Sequence, residues 1–299
     1  MLGIIVACGV AGALGQVPAR DAAPAPAAFL GGEADVAVTA DVGVWVPRLT
    51  GTAQVGAGGT SFALNTDLAV GGGSAGAAGE FAVAVGRWRF GGLGFSVSES
   101  GSDSAPVAGT FGSVAIAAGD PISGSYSAWM AGAEVGYEIC RPLADEPWPW
   151  DPAGANRAEA TAMMGANGRP LFDVRLLVLG GALAFHYEQS LTNETTGLSS
   201  GFDRTVAAPY GGAGLDVRIG FDGRVPLVQD LRIYCNAGVG PSIPDAEVMW
   251  MVRAGLAVMF DANIGAEFGY RLFDFDLVDG PSRVDGGLRG LFGAVSIRF

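Results

Sequence analysis

The chain has 299 residues, 49% of them hydrophobic and 16% charged, with 49 glycines. All 17 basic residues are arginine, against 30 acidic residues, giving a net charge of −13; that balance excludes a nucleic-acid partner, whose phosphates demand a basic face. No stretch offers the ~20 unbroken apolar residues of a membrane-spanning helix, so the apolar content must serve another architecture.

Residues 2–14 are almost all apolar and run into Ala13-Leu14-Gly15, a small-x-small pattern. Residues 1–15 are therefore expected to be a secretory signal peptide, although the usual basic start is missing. Ile5-Val6-Ala7-Cys8 also fits a lipoprotein box that would acylate Cys8, but the apolar run before it is short. Residues 16–33 are Ala/Pro-rich and predict a linker, leaving 34–299 as one domain. Cys140 and Cys235 stand in no metal-ligand spacing and are expected to be unpaired small apolar residues.

From residue 36 onward the pattern has period two, as β-strands require. In 36–46, Val36, Val38, Ala40, Val42, Val44 and Val46 share one face, with Thr39, Asp41 and Gly43 opposite. Two arms flank "GRWRFGG", one lined by Phe81, Val83 and Val85, the other by Leu93, Phe95 and Val97. Residues 125–139 set Trp129, Val135, Tyr137 and Ile139 against Glu134 and Glu138. Residues 171–187 set Phe172, Val174, Leu176 and Val178 against Asp173 and Arg175. There a bulge at Gly180-Gly181 is expected to flip the parity and turn Leu183, Phe185 and Tyr187 to the apolar face. The runs 213–221, 231–239, 250–260, 262–272 and the C-terminal "GLFGAVSIRF" continue the alternation, for ten strands and no amphipathic helix.

The bulky faces are nearly free of charge, while the minor faces combine Gly, Ala and Ser with isolated Arg, Asp and Glu. A soluble barrel turns its apolar side inward; a membrane barrel turns it to lipid. Runs of eleven residues also match a membrane strand of ~9–11. The expected fold is all-β, an antiparallel up-and-down transmembrane β-barrel of about ten strands, with eight or twelve as alternatives. Trp45, Trp129, Tyr137, Phe185, Tyr187, Phe221, Trp250, Phe260 and Phe299 lie near strand ends and are expected to form the interfacial girdles. Long connections are placed at 48–78, 100–123 and 141–170, a medium-long one at 188–208, and medium ones at 240–248 and 275–288. The 141–170 connection is the exception to short turns at the end that carries the termini.

The ending resembles bacterial outer-membrane β-barrel proteins, whose last strand, closed by an aromatic residue, is read by the barrel-assembly machinery. Leu291, Val295, Ile297 and Phe299 match that signal. The hairpin "VMFDANIGAEFGYRLFDF" and the stretch "LLVLGGALAFHYE" resemble the OmpA/OmpW-type small-barrel group. The resemblance implies the outer membrane of a Gram-negative cell envelope, with outer-membrane lipids and the assembly machinery as partners. It names no transported solute.

Catalytic sets are sparse. His186, the single histidine, is expected on the lumen face at the outer rim with Glu188, where a hydrolase pair would act. "DFDLVDGPSRVD" is expected to be a solvated acidic loop rather than a cation site, because it lacks EF-hand spacing. No cofactor or metal is expected. The inward charges are expected to be Glu134, Glu138, Asp173, Asp216 and Glu267 against Arg175, Arg218, Arg232, Arg253, Arg271 and Arg298, a near-neutral ion-pair network that ties strands together. Wide channels appear at 16–18 strands, so ten predict a structural or surface-interaction protein, or a narrow small-solute pore. The alternatives are a rim hydrolase and a soluble ligand-binding barrel.

Overall fold

A computed structural model describes residues 36–140, 172–221, 225–261 and 263–299. In chain order the strands are β1 (Val36–Gln54), β2 (Ser61–Ala63), β3 (Gly76–Val85), β4 (Trp88–Ser104), β5 (Gly109–Phe111), β6 (Val114–Ile116), β7 (Pro121–Cys140), β8 (Phe172–Asn193), β9 (Leu198–Gly220), β10 (Asp230–Pro241), β11 (Val248–Met259), β12 (Ile264–Asp279) and β13 (Ser282–Arg298). Ten of them, all but β2, β5 and β6, form one antiparallel barrel in chain order. It closes where β13 pairs with β1, from Thr39↔Arg298 to Gln54↔Arg283. Beyond that ladder Phe299 exchanges backbone hydrogen bonds with Val38, at 2.9 and 3.2 Å. No strand edge is left along the wall, the condition for a sheet in lipid.

The outer wall carries an apolar belt at the end that holds the termini. On β1 it runs from Val36 to Val46, with Val42 68% exposed, and on β13 from Phe299 to Leu291, also 68% exposed. Eleven residues at about 3.4 Å each, tilted by about 40°, rise roughly 28 Å, the height of a lipid-facing band. Water-soluble barrels do not show such a belt, so the soluble ligand-binding alternative is overturned. Trp88, Trp129, Trp250, Phe260 and Phe299 are exposed on this surface.

Above the belt the outward residues become polar: Arg48 on β1, Ser98 and Ser100 on β4, Ser123 and Ser125 on β7, Glu188 and Thr192 on β8, Asp203 on β9. The strands continue here. The segments 188–208 and 275–288, expected as loops, are the β8–β9 and β12–β13 hairpins, turning only at 194–197 and 280–281. Their outward faces no longer meet lipid, so the apolar alternation that marks the membrane part is lost from that side. Four aspartates of the expected acidic loop sit on these strands. Asp274 is held by Arg289 (2.9 Å) and Asp276 by Arg283.

Two expectations about facing fail for the same reason. β8 has no bulge at Gly180-Gly181; its ladder to β7 shifts only between Glu138 and Cys140. Odd-numbered residues point inward all along β8, so Leu183, Phe185 and Tyr187 are buried in the lumen. Trp45 (1% exposed), Phe95 and Val97 are inside as well. Trp45, Phe185 and Tyr187 therefore belong to an internal core, not to a girdle.

At the opposite end β3 turns into β4 through residues 86–87 alone. Between β11 and β12, Asp261 Oδ1 accepts the backbone N–H groups of Asn263 and Ile264, each at 2.7 Å. These two bonds hold its carboxyl below the ordinary carboxylate range. Cys235 is exposed and unpaired. The segments 1–35 and 141–171, with the expected signal, linker and long connection, lie outside the described residues.

Candidate functional site

Inside, the barrel has two layers. The first, level with the lipid belt, is charged. Glu80 on β3 is gripped from across the lumen by Arg253 of β11 and by Arg271 of β12, the latter at 2.7 Å. Toward the end with the termini follow Arg232–Asp216 and Arg218–Asp230, each at 2.6 Å, and Arg298–Asp230 at 3.5 Å. Arg175 meets Asp173 at 2.8 Å and Glu138 at 3.9 Å. Two tyrosines knit the layer further: Tyr210 donates to Glu134 at 3.1 Å, and Tyr234 donates to Glu267. The guanidiniums of Arg232 and Arg253 lie 5.1 and 5.5 Å from the Tyr234 ring centroid, a cation–π arrangement. Room for that tyrosine comes from Gly255, where a Cβ would stand 2.7 Å from its hydroxyl.

The structure therefore brings together the expected lumen residues and adds Asp41, Glu80, Arg89 and Asp230. Glu80 was legible as the inward neighbour of outward Phe81. Arg89 and Asp230 sit at strand ends that resemble turns in sequence, so alternation gave no signal for them.

The second layer, above the belt, is aromatic and buried. Trp45–Phe95 and Phe185–Phe273 ring centroids are 4.7 Å apart, Phe185–Phe275 4.8 Å and Tyr187–Phe275 5.3 Å. Fully burying each such side chain contributes about 1.5–3 kcal/mol. The connection from β2 to β3 folds into this space: Leu64, Leu68 and Val70 have no exposure. It fits because two inward positions are glycine. A Cβ on Gly124 would sit 1.9 Å from the Leu68 carbonyl oxygen, and one on Gly101 2.2 Å from that of Ala69. The backbone N–H of Gly72 donates to Glu99 at 2.7 Å and fixes the far end. Above, the β5–β6 hairpin buries Phe111, Val114 and Ile116.

His186 is not on the lumen face. It points outward on β8, stacked on Trp129 with ring centroids 5.8 Å apart. Its Nδ1 meets both Thr205 Oγ1 (2.9 Å) and Asp203 (3.6 Å). A nucleophile–base–orienter relay needs the two partners on opposite ring nitrogens, so this set is not arranged as one. Glu188 is outward and exposed too. Among the described residues no group of three His, Cys, Asp or Glu is placed to hold a metal ion. Leu291, Val295 and Phe299 are exposed on the lipid side.

A closed up-and-down barrel with a lipid-facing belt and its charges turned into the lumen defines a bacterial outer-membrane β-barrel protein. No family model matches the chain, and no curated protein does. Among solved structures it is similar to the outer membrane protease OmpT from Escherichia coli, at 9% identity and a TM-score of 0.48, over 88% of this chain and 97% of that one. It is also similar to Ail, the attachment invasion locus protein of Yersinia pestis (11%, TM-score 0.34, 88% and 99%). A third is the Pseudomonas putida toluene transporter TodX (11%, TM-score 0.29, 90% and 90%). The assignment to the class rests on this chain's own belt, closure and lumen.

Proposed function

We propose that this barrel is closed to solutes and acts as a rigid, non-enzymatic platform that displays its polar outer half at the cell surface. The observation that carries the proposal is the double filling of the lumen. Glu80 holds Arg253 and Arg271 across its width, and a fully buried aromatic layer stands above it. Charge-assisted forks in a confined space resist salt better than surface pairs do. The outer half supports the display role: β8 and β9 have 22 and 23 residues, about twice what a membrane strand needs. Outer-membrane lipids contact the belt, and the barrel-assembly machinery reads the final strand. Refolded protein in planar bilayers is expected to give no steady current. Steady, large, ohmic currents from the unmodified protein would make a pore the better assignment.

A further inference from the structure

At the end of the barrel that carries the termini, the charged layer opens into a cavity of about 80 Å³. Its wall holds six arginines, Arg87, Arg89, Arg175, Arg218, Arg232 and Arg298, but only two carboxylates, Glu138 and Asp216. Most of these guanidiniums are engaged. Arg232 takes Asp216, Arg218 and Arg298 share Asp230, and Arg175 takes Asp173. Arg87 is also partnered. Arg89 differs: among the described residues it makes no hydrogen bond and no ion pair within 4 Å, and it stands in the field of Arg232 and Arg253 and of the carboxylates Glu134 and Asp216, neither of which it touches. Its place is built. It pairs across the β4–β7 ladder with Gly136, whose missing side chain leaves the Arg89 Cβ 3.6 Å from where a Cβ would stand.

An inward guanidinium that touches no carboxylate, in a cavity wall richer in arginines than in carboxylates, is favoured by a partner that meets its N–H groups directly. Five N–H donors in a planar fork fit one kind of partner best, a compact oxyanion. We infer that this cavity is a binding site for a phosphate-type oxyanion, with Arg89 as the residue that the anion completes. The anion is either free phosphate or the headgroup of a phospholipid; the chemistry at Arg89 is the same.

The test uses the full chain refolded in an uncharged detergent, with thermal unfolding followed while inorganic phosphate is added. Sodium chloride at matched ionic strength is the control, and a short-chain phosphatidylglycerol forms the second arm. Phosphate is expected to raise the unfolding midpoint where chloride does not. Arg89→Gln is expected to weaken the response by about tenfold or more, the worth of one hydrogen bond to a charged group. Without phosphate, Arg89→Gln is expected to unfold no earlier than the unmodified protein, because it removes a charge that has no direct partner. If that variant does not refold, Arg89→Lys carries the test, with binding weakened but present. A response to lipid alone supports the site and assigns its anion to a headgroup. No response in either arm, or an equal response in both Arg89 variants and the unmodified chain, overturns the proposal.

Discussion

The guanidinium of Arg271 lies over the ring of Phe292, its central carbon 4.1 Å from the ring centroid. Arg271 belongs to the charged layer through Glu80, and Phe292 to the buried apolar core. Their contact marks the height at which the lumen changes character. Below it the wall is apolar outside and charged inside; above it the wall is polar outside and apolar inside. The outer half is built like a soluble protein standing on a membrane barrel.

Glu80 is the shared counter-ion of two arginines from the opposite wall. Glu80→Ala leaves both in a confined site, and breaking such a buried set costs about 3–5 kcal/mol. Denaturant titration in lipid vesicles is expected to show that loss, with Glu80→Gln milder. Conductance is expected to stay low, because the aromatic layer is untouched. A current opened by Glu80→Ala alone would show that the charged layer is the only barrier.

Gly124 holds the internal connection by having no side chain. Gly124→Ala places a Cβ on the Leu68 carbonyl oxygen, and the backbone there cannot give way while it stays in the lumen. Residues 64–73 are expected to become cleavable by added protease while the barrel keeps its heat-modifiable migration on a gel. Equal resistance to protease in the variant and the unmodified chain would place the connection elsewhere.

Leu256 and Ala257 are neighbours of opposite facing. Leu256 is exposed to lipid, so Leu256→Arg is expected to cost about 2–4 kcal/mol near the midplane. Ala257 is 3% exposed, opposite Arg232 on one side and Glu267 on the other. Ala257→Arg is therefore also destabilising, by crowding and by the like charge of Arg232. Leu256→Phe and Ala257→Phe separate the two faces: the first is expected to be tolerated and the second not, in refolding titrations into bilayers.

Phe299 is 73% exposed and joined to Val38 only through the backbone. Deleting it removes two terminal hydrogen bonds and one lipid-facing ring, a modest loss for refolding in detergent. Assembly in cells is expected to fall far more, as the proposed reading of that ring by the assembly machinery requires. Equal losses in the two assays would make the residue merely structural.

What the sequence determined was local and periodic. The alternations at 125–139, 231–239 and 250–260 fixed strands whose two faces differ, and the final "AVSIRF" supplied the strand that closes on β1. That Phe81, Val135 and Leu256 lie on the face opposite Glu80, Glu134 and Ala257 follows from alternation alone, because consecutive side chains must point to opposite faces. Alternation reports that two faces differ, not which one meets lipid. On β8 the lower part turns Val178 outward and the upper part turns Phe185 inward without any break in the ladder. The apolar set changes parity because the surroundings change with height, from lipid to water. Only the closed barrel assigns heights, by registering each strand on its neighbours. It also decides which charges meet. Glu80 reaches Arg253 and Arg271 because the lumen is narrow enough for one carboxylate to span it, a distance that exists only once β13 has closed on β1.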